Sequence, residues 1–266
     1  MLFRRRTRRP AAPPPLPLSV VREASAEQLQ AAFSGPPEEA ARWIAAAARA
    51  GMTEGQILYG QILLEGRGVA EDRAAALGWF QVAAQAGDLK GLTMVGRCHE
   101  MGWGTPVDLP RAAALYREAA EKGFGWAQYN LATLLARGAG VAEDRAEALR
   151  WFRRAAEGGH AKSMTVLGTW MEQGWETPRD VAAAHALYAR AAELGDFRAQ
   201  YNMGSLAAEA GRAEEALSWF RRAAGAGSPG FLGKMARALA TRPEPQLRAF
   251  GETLLAELIR KAGPAA

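Results

Sequence analysis

The chain has 266 residues, with 33 Lys and Arg against 28 Asp and Glu, and a sequence isoelectric point near 9.6. Five of the basic residues are arginines within residues 4–9, and without them the basic residues equal the 28 acidic ones in number. The excess positive charge therefore belongs to the N-terminal tail, which argues against a basic groove for nucleic acid in the body of the protein.

The cysteine count and the lack of long apolar runs narrow the class of protein further. Cys98 is the only cysteine, so an intrachain disulfide is excluded. No apolar run approaches the ~18 residues that a membrane span requires. The first arginines are followed by prolines, which would break the helical core of a secretory signal. We therefore expect a cytoplasmic protein without a signal peptide or transmembrane segment.

Residues 1–18 form a basic and then proline-rich tail that we expect to be disordered, because it has few apolar residues to bury. Its simplest role is that of a solvated tail. The alternative is an electrostatic contact with a membrane surface, an acidic protein or nucleic acid. That contact would be made by Arg4, Arg5, Arg6, Arg8 and Arg9.

Residues 19–51 form a degenerate N-terminal repeat. Ser25 and Gln28 have the spacing of a capping box, which predicts a short helix that ends before Gly35. A second helix follows and carries the pair Trp43-Ile44, one repeat length before an equivalent pair in the next repeat.

Residues 52–195 hold four 36-residue repeats, and this fixed period is the signature of a helical repeat protein. The pattern within each repeat predicts a first helix, a glycine-rich bend and a second helix that ends at a glycine. An aspartate is placed as the N-cap of each second helix, which then carries two adjacent bulky residues that we expect to be buried together. The aspartates are Asp72, Asp108, Asp144 and Asp180, and the bulky pairs are Trp79-Phe80, Leu115-Tyr116, Trp151-Phe152 and Leu187-Tyr188.

A small residue in the middle of each first helix requires an explanation, because glycine destabilises a helix interior by about 1 kcal/mol relative to alanine. We expect that the missing side chain lets the bulky pair of the second helix approach closely. The residues in this position are Gly60, Gly96, Ala132, Gly168 and Gly204.

The last part of the chain departs from the 36-residue period. Residues 196–227 form a shortened repeat that resembles a tetratricopeptide unit, since its bend is shorter than those before it. Residues 228–266 predict a further pair of helices without the repeat pattern, broken around 241–245. Such terminal helices are expected to cap the open end of a repeat stack.

The segments AQYNLA (127–132) and AQYNMG (199–204), together with the glycine bend, the aspartate and the bulky pair, resemble the Sel-one-like repeat (SLR) family of tetratricopeptide-related proteins. The resemblance covers roughly residues 38–227. It implies an all-α fold, a right-handed α-solenoid of stacked helix-turn-helix repeats whose first helices line the concave face. Family members resemble adaptors, which implies a non-catalytic protein–protein interaction scaffold. The composition, rich in Ala, Arg and Gly, suggests a bacterial source.

One branch of this family is linked to β-lactam binding or hydrolysis, which stays as an alternative function. That branch is built on paired cysteines, and a chain with one cysteine resembles it poorly. No nucleophile-elbow, phosphate-loop or metalloprotease motif occurs in the sequence. His99, His160 and His185 lie in different repeats, and Cys98 and His99 point to different faces of one helix. We therefore expect no enzymatic activity, no catalytic residue, no metal site and no cofactor.

The first helices of the repeats are the candidate partner-binding surface. Side chains at a 3–4 spacing would project into the concave groove and hold a protein or peptide rather than a small-molecule substrate. The tyrosines among them are explained equally well as packing residues that seal neighbouring repeats. The predicted binding residues are Lys90, Thr93, Arg97, Glu100, Trp126, Tyr129, Thr133, Lys162, Thr165, Thr169, Arg198, Tyr201 and Ser205.

Trp103 and Trp175 lie in two of the bends and form a candidate secondary surface. In one interpretation each tryptophan packs locally against the proline that follows it, Pro106 or Pro178. In the other interpretation both are exposed anchors for a second partner.

Overall fold

The computed structural model describes residues 16–262, and every regular element among them is an α-helix. The tail arginines at residues 4–9 lie outside the described residues, so their predicted role is not addressed by the fold. The helices are α1 Leu18–Arg22, α2 Ala26–Ser34, α3 Pro37–Arg49, α4 Thr53–Glu65, α5 Arg73–Gln85, α6 Leu89–Met101, α7 Leu109–Glu121, α8 Gly125–Leu135, α9 Arg145–Glu157, α10 Ala161–Gln173, α11 Val181–Glu193, α12 Phe197–Glu209, α13 Ala213–Ala226, α14 Pro229–Ala240 and α15 Pro245–Ala262.

Successive helices pack against each other in pairs joined by short bends. Helices α4 and α5, α6 and α7, α10 and α11, and α12 and α13 form such pairs, and the second helix of one pair packs against the first helix of the next, as α5 does against α6. The predicted class, an all-α fold of stacked helix-turn-helix repeats, is confirmed.

The described residues fall into two compact units. The first contains residues 16–127 and 139–142, and the second contains residues 128–138 and 143–262. A core cluster of the first unit includes Ile57 and Phe80, and a core cluster of the second includes Phe220, Met235 and Leu247.

Aspartate N-caps fix the start of the second helices, as predicted. The carboxylate of each cap accepts a hydrogen bond from the backbone N–H three residues later, at 2.7–2.9 Å. The same aspartates close the bends, because their own N–H groups donate to first-helix carbonyls; Asp108, for example, donates to His99 O at 2.8 Å. The Ser25–Gln28 capping box is also present. The caps of the second helices are Asp72, Asp108, Asp144 and Asp180.

A left-handed glycine terminates each second helix of the 36-residue repeats. Gly87, Gly123, Gly159 and Gly195 have φ values between +87° and +90°, a region that side-chain-bearing residues rarely adopt. The predicted glycine stops are therefore confirmed.

The two residues of each bulky pair are not buried alike. In the four 36-residue repeats the second residue of the pair is buried, as Phe80, Tyr116 and Phe152 show. In the degenerate first repeat the order is reversed, since Trp43 is buried and Ile44 is half-buried. The expectation that the first residue is buried with the second is confirmed for Leu115 and wrong for Trp79, Trp151 and Leu187, which are only half-buried. Adjacent residues on a helix point about 100° apart, so burial of the second residue does not by itself bury the first.

The glycine in the middle of a first helix makes room for the second residue of the bulky pair. A Cβ placed on Gly96 would lie 2.7 Å from Tyr116 Cε1, and one on Gly60 would lie 2.5 Å from Phe80 Cε1. Both distances are shorter than non-bonded carbons tolerate, which confirms the predicted role of these glycines.

Helices α14 and α15 close the described chain. Met235 and Leu239 from α14 and Leu247 and Leu254 from α15 are buried in one cluster with residues of the preceding repeat. Among residues 16–262, no helix combines the length and the apolar character that a transmembrane segment needs.

Candidate partner-binding surface

One register of the first helices forms an exposed face in the first unit. Glu54, Lys90 and Trp126 are repeat equivalents, and Lys90 Nζ lies 3.2 Å from Glu54 Oε1. On the same side of α4 and α6, Leu58 is 37% exposed and Met101 is 50% exposed, while Trp126 is 41% exposed. The first-helix face of the first unit is defined here as Glu54, Leu58, Lys90, Arg97, Met101 and Trp126.

Two predicted binding residues of the first unit point elsewhere. Thr93 is buried, and its hydroxyl donates to Leu89 O at 2.7 Å. Glu100 accepts a 2.6 Å hydrogen bond from the hydroxyl of Tyr116, the buried residue of its own helix pair. Burial and this carboxylate both raise the pKa of Tyr116 well above its usual value. We therefore remove Thr93 from the predicted binding set and regard Glu100 as an internal hydrogen-bond acceptor.

Arg97 links the first-helix face to the second bend. Its guanidinium carbon lies 5.4 Å from the ring centroid of Trp103, which is half-buried. Such a cation–π contact contributes about 0.5–1 kcal/mol at a partly exposed site. Trp103 therefore packs within its own repeat, as the first of the two interpretations predicts. The ring contact observed is with Arg97.

In the second unit, most of the predicted binding residues on the first helices are polar. Thr165 is buried and donates to Asp196 Oδ1 at 2.8 Å, so it is also removed from the binding set. Lys162 and Thr169 are half-buried on α10, and Arg198 is exposed on α12.

The remaining hydroxyls of the predicted set are already hydrogen-bonded along their own helices. Thr133 donates to Tyr129 O at 2.8 Å, Thr169 to Thr165 O at 3.1 Å, and Ser205 to Tyr201 O at 3.1 Å. A hydroxyl that donates to the carbonyl one turn earlier retains acceptor capacity only.

The two predicted tyrosines are packing residues in this structure. The Tyr129 ring lies 5.9 Å from Phe152 and 5.4 Å from His160, measured between centroids. The Tyr201 ring lies 5.5 Å from Phe220 and 5.8 Å from Phe231. Of the two interpretations of these tyrosines, the contacts favour the sealing of neighbouring helices.

His160 is the N-cap residue of α10 and lies beside Tyr129, with its Nδ1 atom 2.9 Å from Ser163 Oγ. Burial, and then the charge of Lys162, lower the pKa of His160 to about 4. The folded state therefore keeps this imidazole neutral while the unfolded chain, with a pKa near its ordinary 6.5, takes up a proton. The resulting stabilisation is complete above pH ~6.5 and is lost as the pH falls towards ~4.

Replacement of His160 with asparagine should remove this pH dependence. The difference in unfolding free energy between wild type and His160→Asn should change by about 2 kcal/mol between pH ~7 and pH ~4. Urea denaturation at both pH values measures this change, with His185→Asn as the control for loss of a half-buried imidazole elsewhere in the second unit. Equal pH slopes for wild type and His160→Asn would contradict the assignment.

The fourth bend places an exposed tryptophan beside an arginine that the sequence did not single out. Trp175 is 46% exposed, and the guanidinium of Arg145 lies over the rings of Trp170 and Trp175, 5.4 and 5.8 Å from their centroids. Glu176, at a φ of +54°, pairs with Arg145 at 3.6 Å. The sequence does distinguish this bend from the others, because Glu176 replaces the glycine found at the same position in the other three bends.

The buried thiol of Cys98 is expected to be unreactive. It is fully buried, and burial raises its pKa to about 12, so the thiolate that reacts or binds metal is scarce at neutral pH. Within the described range 16–262, no group of three or more His, Cys, Asp or Glu side chains is placed to hold a metal ion.

The comparisons with known proteins concern the repeats first. A family model described as Sel1 repeat matches residues 53–88, 89–124, 127–160, 161–196 and 198–228. These segments begin within two residues of the first helices α4, α6, α8, α10 and α12. No curated protein matches the chain.

Several solved structures resemble the chain. A Sel1 repeat protein from Oxalobacter formigenes is 24% identical, with a TM-score of 0.69 over 88% of this chain and 100% of the other. The protective antigen c5321 of uropathogenic Escherichia coli, which displays an SLR fold, is 26% identical, with a TM-score of 0.58 over 86% of this chain and 52% of the other. The immunity protein Pa5087 from Pseudomonas aeruginosa is 18% identical, with a TM-score of 0.57 over 77% of this chain and 81% of the other. Sel1 repeat proteins are generally protein-interaction scaffolds.

Proposed function

Because the chain belongs to the Sel1 repeat family, whose matched segments cover more than half of its residues, we propose that it is a non-catalytic scaffold for a protein or peptide partner. The binding site is the first-helix face of the first unit. The observation that carries this proposal is the exposure of Leu58, Met101 and Trp126 on one side of the first helices. Exposed apolar side chains that share one face mark interaction sites in soluble proteins.

The chemistry of this face suits an amphipathic segment. Leu58, Met101 and Trp126 offer apolar contacts, and methionine adapts to differently shaped partners. Arg97 adds a charged guanidinium group that is already held over the ring of Trp103. Tryptophan and arginine are the residue types that most often dominate binding energy. A partner helix with an apolar stripe and an acidic flank would satisfy both kinds of group.

In this proposal the second unit has a separate set of polar binding positions of its own. Lys162, Thr169, Arg198 and Ser205 keep the role predicted for them, with Arg198 the most accessible of the four. Tyr129 and Tyr201 support them by packing their helices against neighbouring ones, and Thr133 is hydrogen-bonded within its own helix.

The test is a double replacement in the exposed face, Met101→Ala with Trp126→Ala. At least one protein captured from a lysate of the native host by the wild type should bind the double variant about tenfold more weakly or worse, because apolar anchors of this kind are each worth about 1–2 kcal/mol or more. Quantitative mass spectrometry of the captured proteins measures the change.

Trp175→Ala is the matched control, since Trp175 is a tryptophan of similar exposure that lies outside the first-helix face. It should retain the partner. Both variants should keep the helical circular dichroism of the wild type, because exposed side chains contribute little to stability. An unchanged set of captured proteins with the double variant would reject this face as the binding site.

A further inference from the structure

The first and last helices of the described chain carry opposite charge, although acidic and basic residues are equal in number beyond residue 9. Residues 16–39, which include α1, α2 and the start of α3, hold four glutamates and one arginine. Residues 229–262, which contain α14 and α15, hold six lysines and arginines and three glutamates. Neither segment contributes to the first-helix face, so this separation of charge lies beyond the proposed scaffold function.

The helices at the start expose both carboxylates and apolar side chains. Helices α1 and α2 pack against α3. Val20 on α1 is 37% exposed, and Phe33 on α2 is 54% exposed. Three exposed glutamates lie on or beside these helices, and none of the three forms a salt bridge within residues 16–262. We define the acidic end as Val20, Glu23, Glu27, Phe33 and Glu38.

The helices at the end of the chain have the complementary combination. On α14, Lys234 and Arg237 are exposed, whereas Met235 between them is buried in the core of the second unit. On α15, Ile259 is 70% exposed and is followed by the exposed Arg260. The three cations form no salt bridge with the side chains that the structure describes. We define the basic end as Lys234, Arg237, Ile259 and Arg260.

We propose that the acidic end of one copy of this chain binds the basic end of a second copy. Opposite charges steer two surfaces together, and contact between their exposed apolar side chains removes apolar area from water. The terminal helices of a repeat protein lack a neighbour on one side, and the second copy supplies that neighbour. Because the two surfaces differ, each bound copy keeps one free end, so association continues beyond a dimer unless a ring closes.

The arginines of residues 4–9 are another source of positive charge for the acidic end. That segment contains only arginine and threonine, so it has no apolar side chain to cover Val20 and Phe33. The basic end has one, because Ile259 is exposed beside Arg260. A second copy therefore matches both features of the acidic end, its charge and its apolar side chains.

Sedimentation of the full chain provides the first test. At low salt the weight-average mass should rise with protein concentration above that of one chain. Addition of about 0.5 M NaCl should reverse this rise, because salt screens the attraction between exposed charges. A mass of one chain at every concentration at low salt would overturn the proposal, and so would association that salt does not weaken.

Charge reversal tests whether the two ends bind each other. The acidic-end variant replaces the three glutamates of the acidic end with lysine, and the basic-end variant replaces Lys234, Arg237 and Arg260 with glutamate. Each variant alone has two ends of like charge, so its self-association should be at least about tenfold weaker than that of the wild type. An equimolar mixture should regain the association, because each variant keeps one original end that is opposite in charge to the reversed end of the other. A mixture that stays monomeric would contradict the pairing of the ends.

The matched control reverses three exposed glutamates outside both ends, Glu143→Lys, Glu157→Lys and Glu209→Lys. It changes the net charge by the same amount as the acidic-end variant does, and it should associate like the wild type. If it dissociates as completely as the acidic-end variant, net charge rather than the ends controls the association, and the proposal is wrong.

The exposed apolar residues allow a test without any change in charge. Phe33→Ser and Ile259→Ser should both keep the helical circular dichroism of the wild type, because exposed side chains contribute little to stability. Each should weaken self-association by about fivefold or more, since a large apolar side chain is lost from the contact. Association as strong as that of the wild type in both variants would overturn the proposal.

Replacement of Arg4, Arg5, Arg6, Arg8 and Arg9 by glutamine separates the two sources of positive charge. The association should persist in this variant, because the basic end is unchanged. Loss of the association would show that residues 4–9 supply the contact, which contradicts its assignment to α14 and α15 of a second copy.

Discussion

Gly96→Leu is expected to destabilise the protein by about 3 kcal/mol. A Cβ atom at this position already lies 2.7 Å from the Tyr116 ring, and leucine adds further carbons to the same space. Tyr116 cannot easily move away, because it is fully buried and its hydroxyl is bonded to Glu100. Overpacking of a well-filled core costs about 1–3 kcal/mol, and a side chain of this size belongs at the upper end of that range.

Urea denaturation of Gly96→Leu and Gly78→Leu separates overpacking from helix propensity. Gly78 also lies inside a helix, α5, but a Cβ there meets no atom within 4 Å. Gly78→Leu should therefore stabilise the protein by up to about 1 kcal/mol, as expected when glycine is replaced in a helix interior. If both variants are as stable as the wild type, Gly96 is not required for the close packing of Tyr116.

Gly104→Ala is expected to cost a similarly large amount, about 3 kcal/mol, through the main chain. Gly104 has a φ of +72°, and a Cβ there would lie 2.3 Å from Arg73 O, at the start of α5. A non-glycine residue in the left-handed region costs about 1–2 kcal/mol. The clash adds to this strain, because the obstacle is backbone that begins a capped helix and cannot adopt another rotamer.

Gly123→Ala is the matched control for the backbone conformation alone. Gly123 has a φ of +90°, and a methyl group at this position would meet no atom within 4 Å, so its replacement should cost only about 1–2 kcal/mol. Thermal and urea unfolding of both variants measure the difference. If Gly104→Ala and Gly123→Ala lower the free energy of unfolding equally, the close approach of Gly104 to Arg73 does not limit the side chain at this position.

The natural chain contains one residue that already bears this kind of strain. Glu176 occupies the register of Gly104 with a φ of +54°, and its carboxylate pairs with Arg145, the residue equivalent to Arg73. The ion pair is exposed and contributes at most about 1 kcal/mol. The strain at Glu176 is therefore only partly offset within the fourth bend.

The sequence predicts the repeats well because their signals are local and recur. An aspartate three residues before an available N–H and a glycine in the left-handed region determine where helices start and stop, whatever lies next to them. The close approach at Gly96 could likewise be predicted, since a glycine inside a helix otherwise only lowers stability.

The exposure of the first-helix side chains was predicted less well, because a repeat period shows which positions are equivalent but not how far each helix is rotated. Thr93 and Thr165 share a 3–4 spacing with exposed residues, yet both are buried against neighbouring helices. Leu58 and Met101 have the same spacing and are exposed, but the prediction omitted them. Which of two adjacent stripes faces solvent depends on packing on both sides of the helix, and a single repeat does not contain that information.

The hydrogen bond that closes each long bend also determines how the molecule can be lengthened or shortened. From Asp72 to Asp180, the cap residue donates its N–H to a carbonyl near the end of the preceding helix, at 2.8–3.0 Å. A bend closed at both ends works as a spacer of fixed length, so residues inserted within it would break the cap and the closing bond together. An engineer who wants a longer or shorter protein should therefore add or excise whole 36-residue modules between equivalent positions and leave the bends intact.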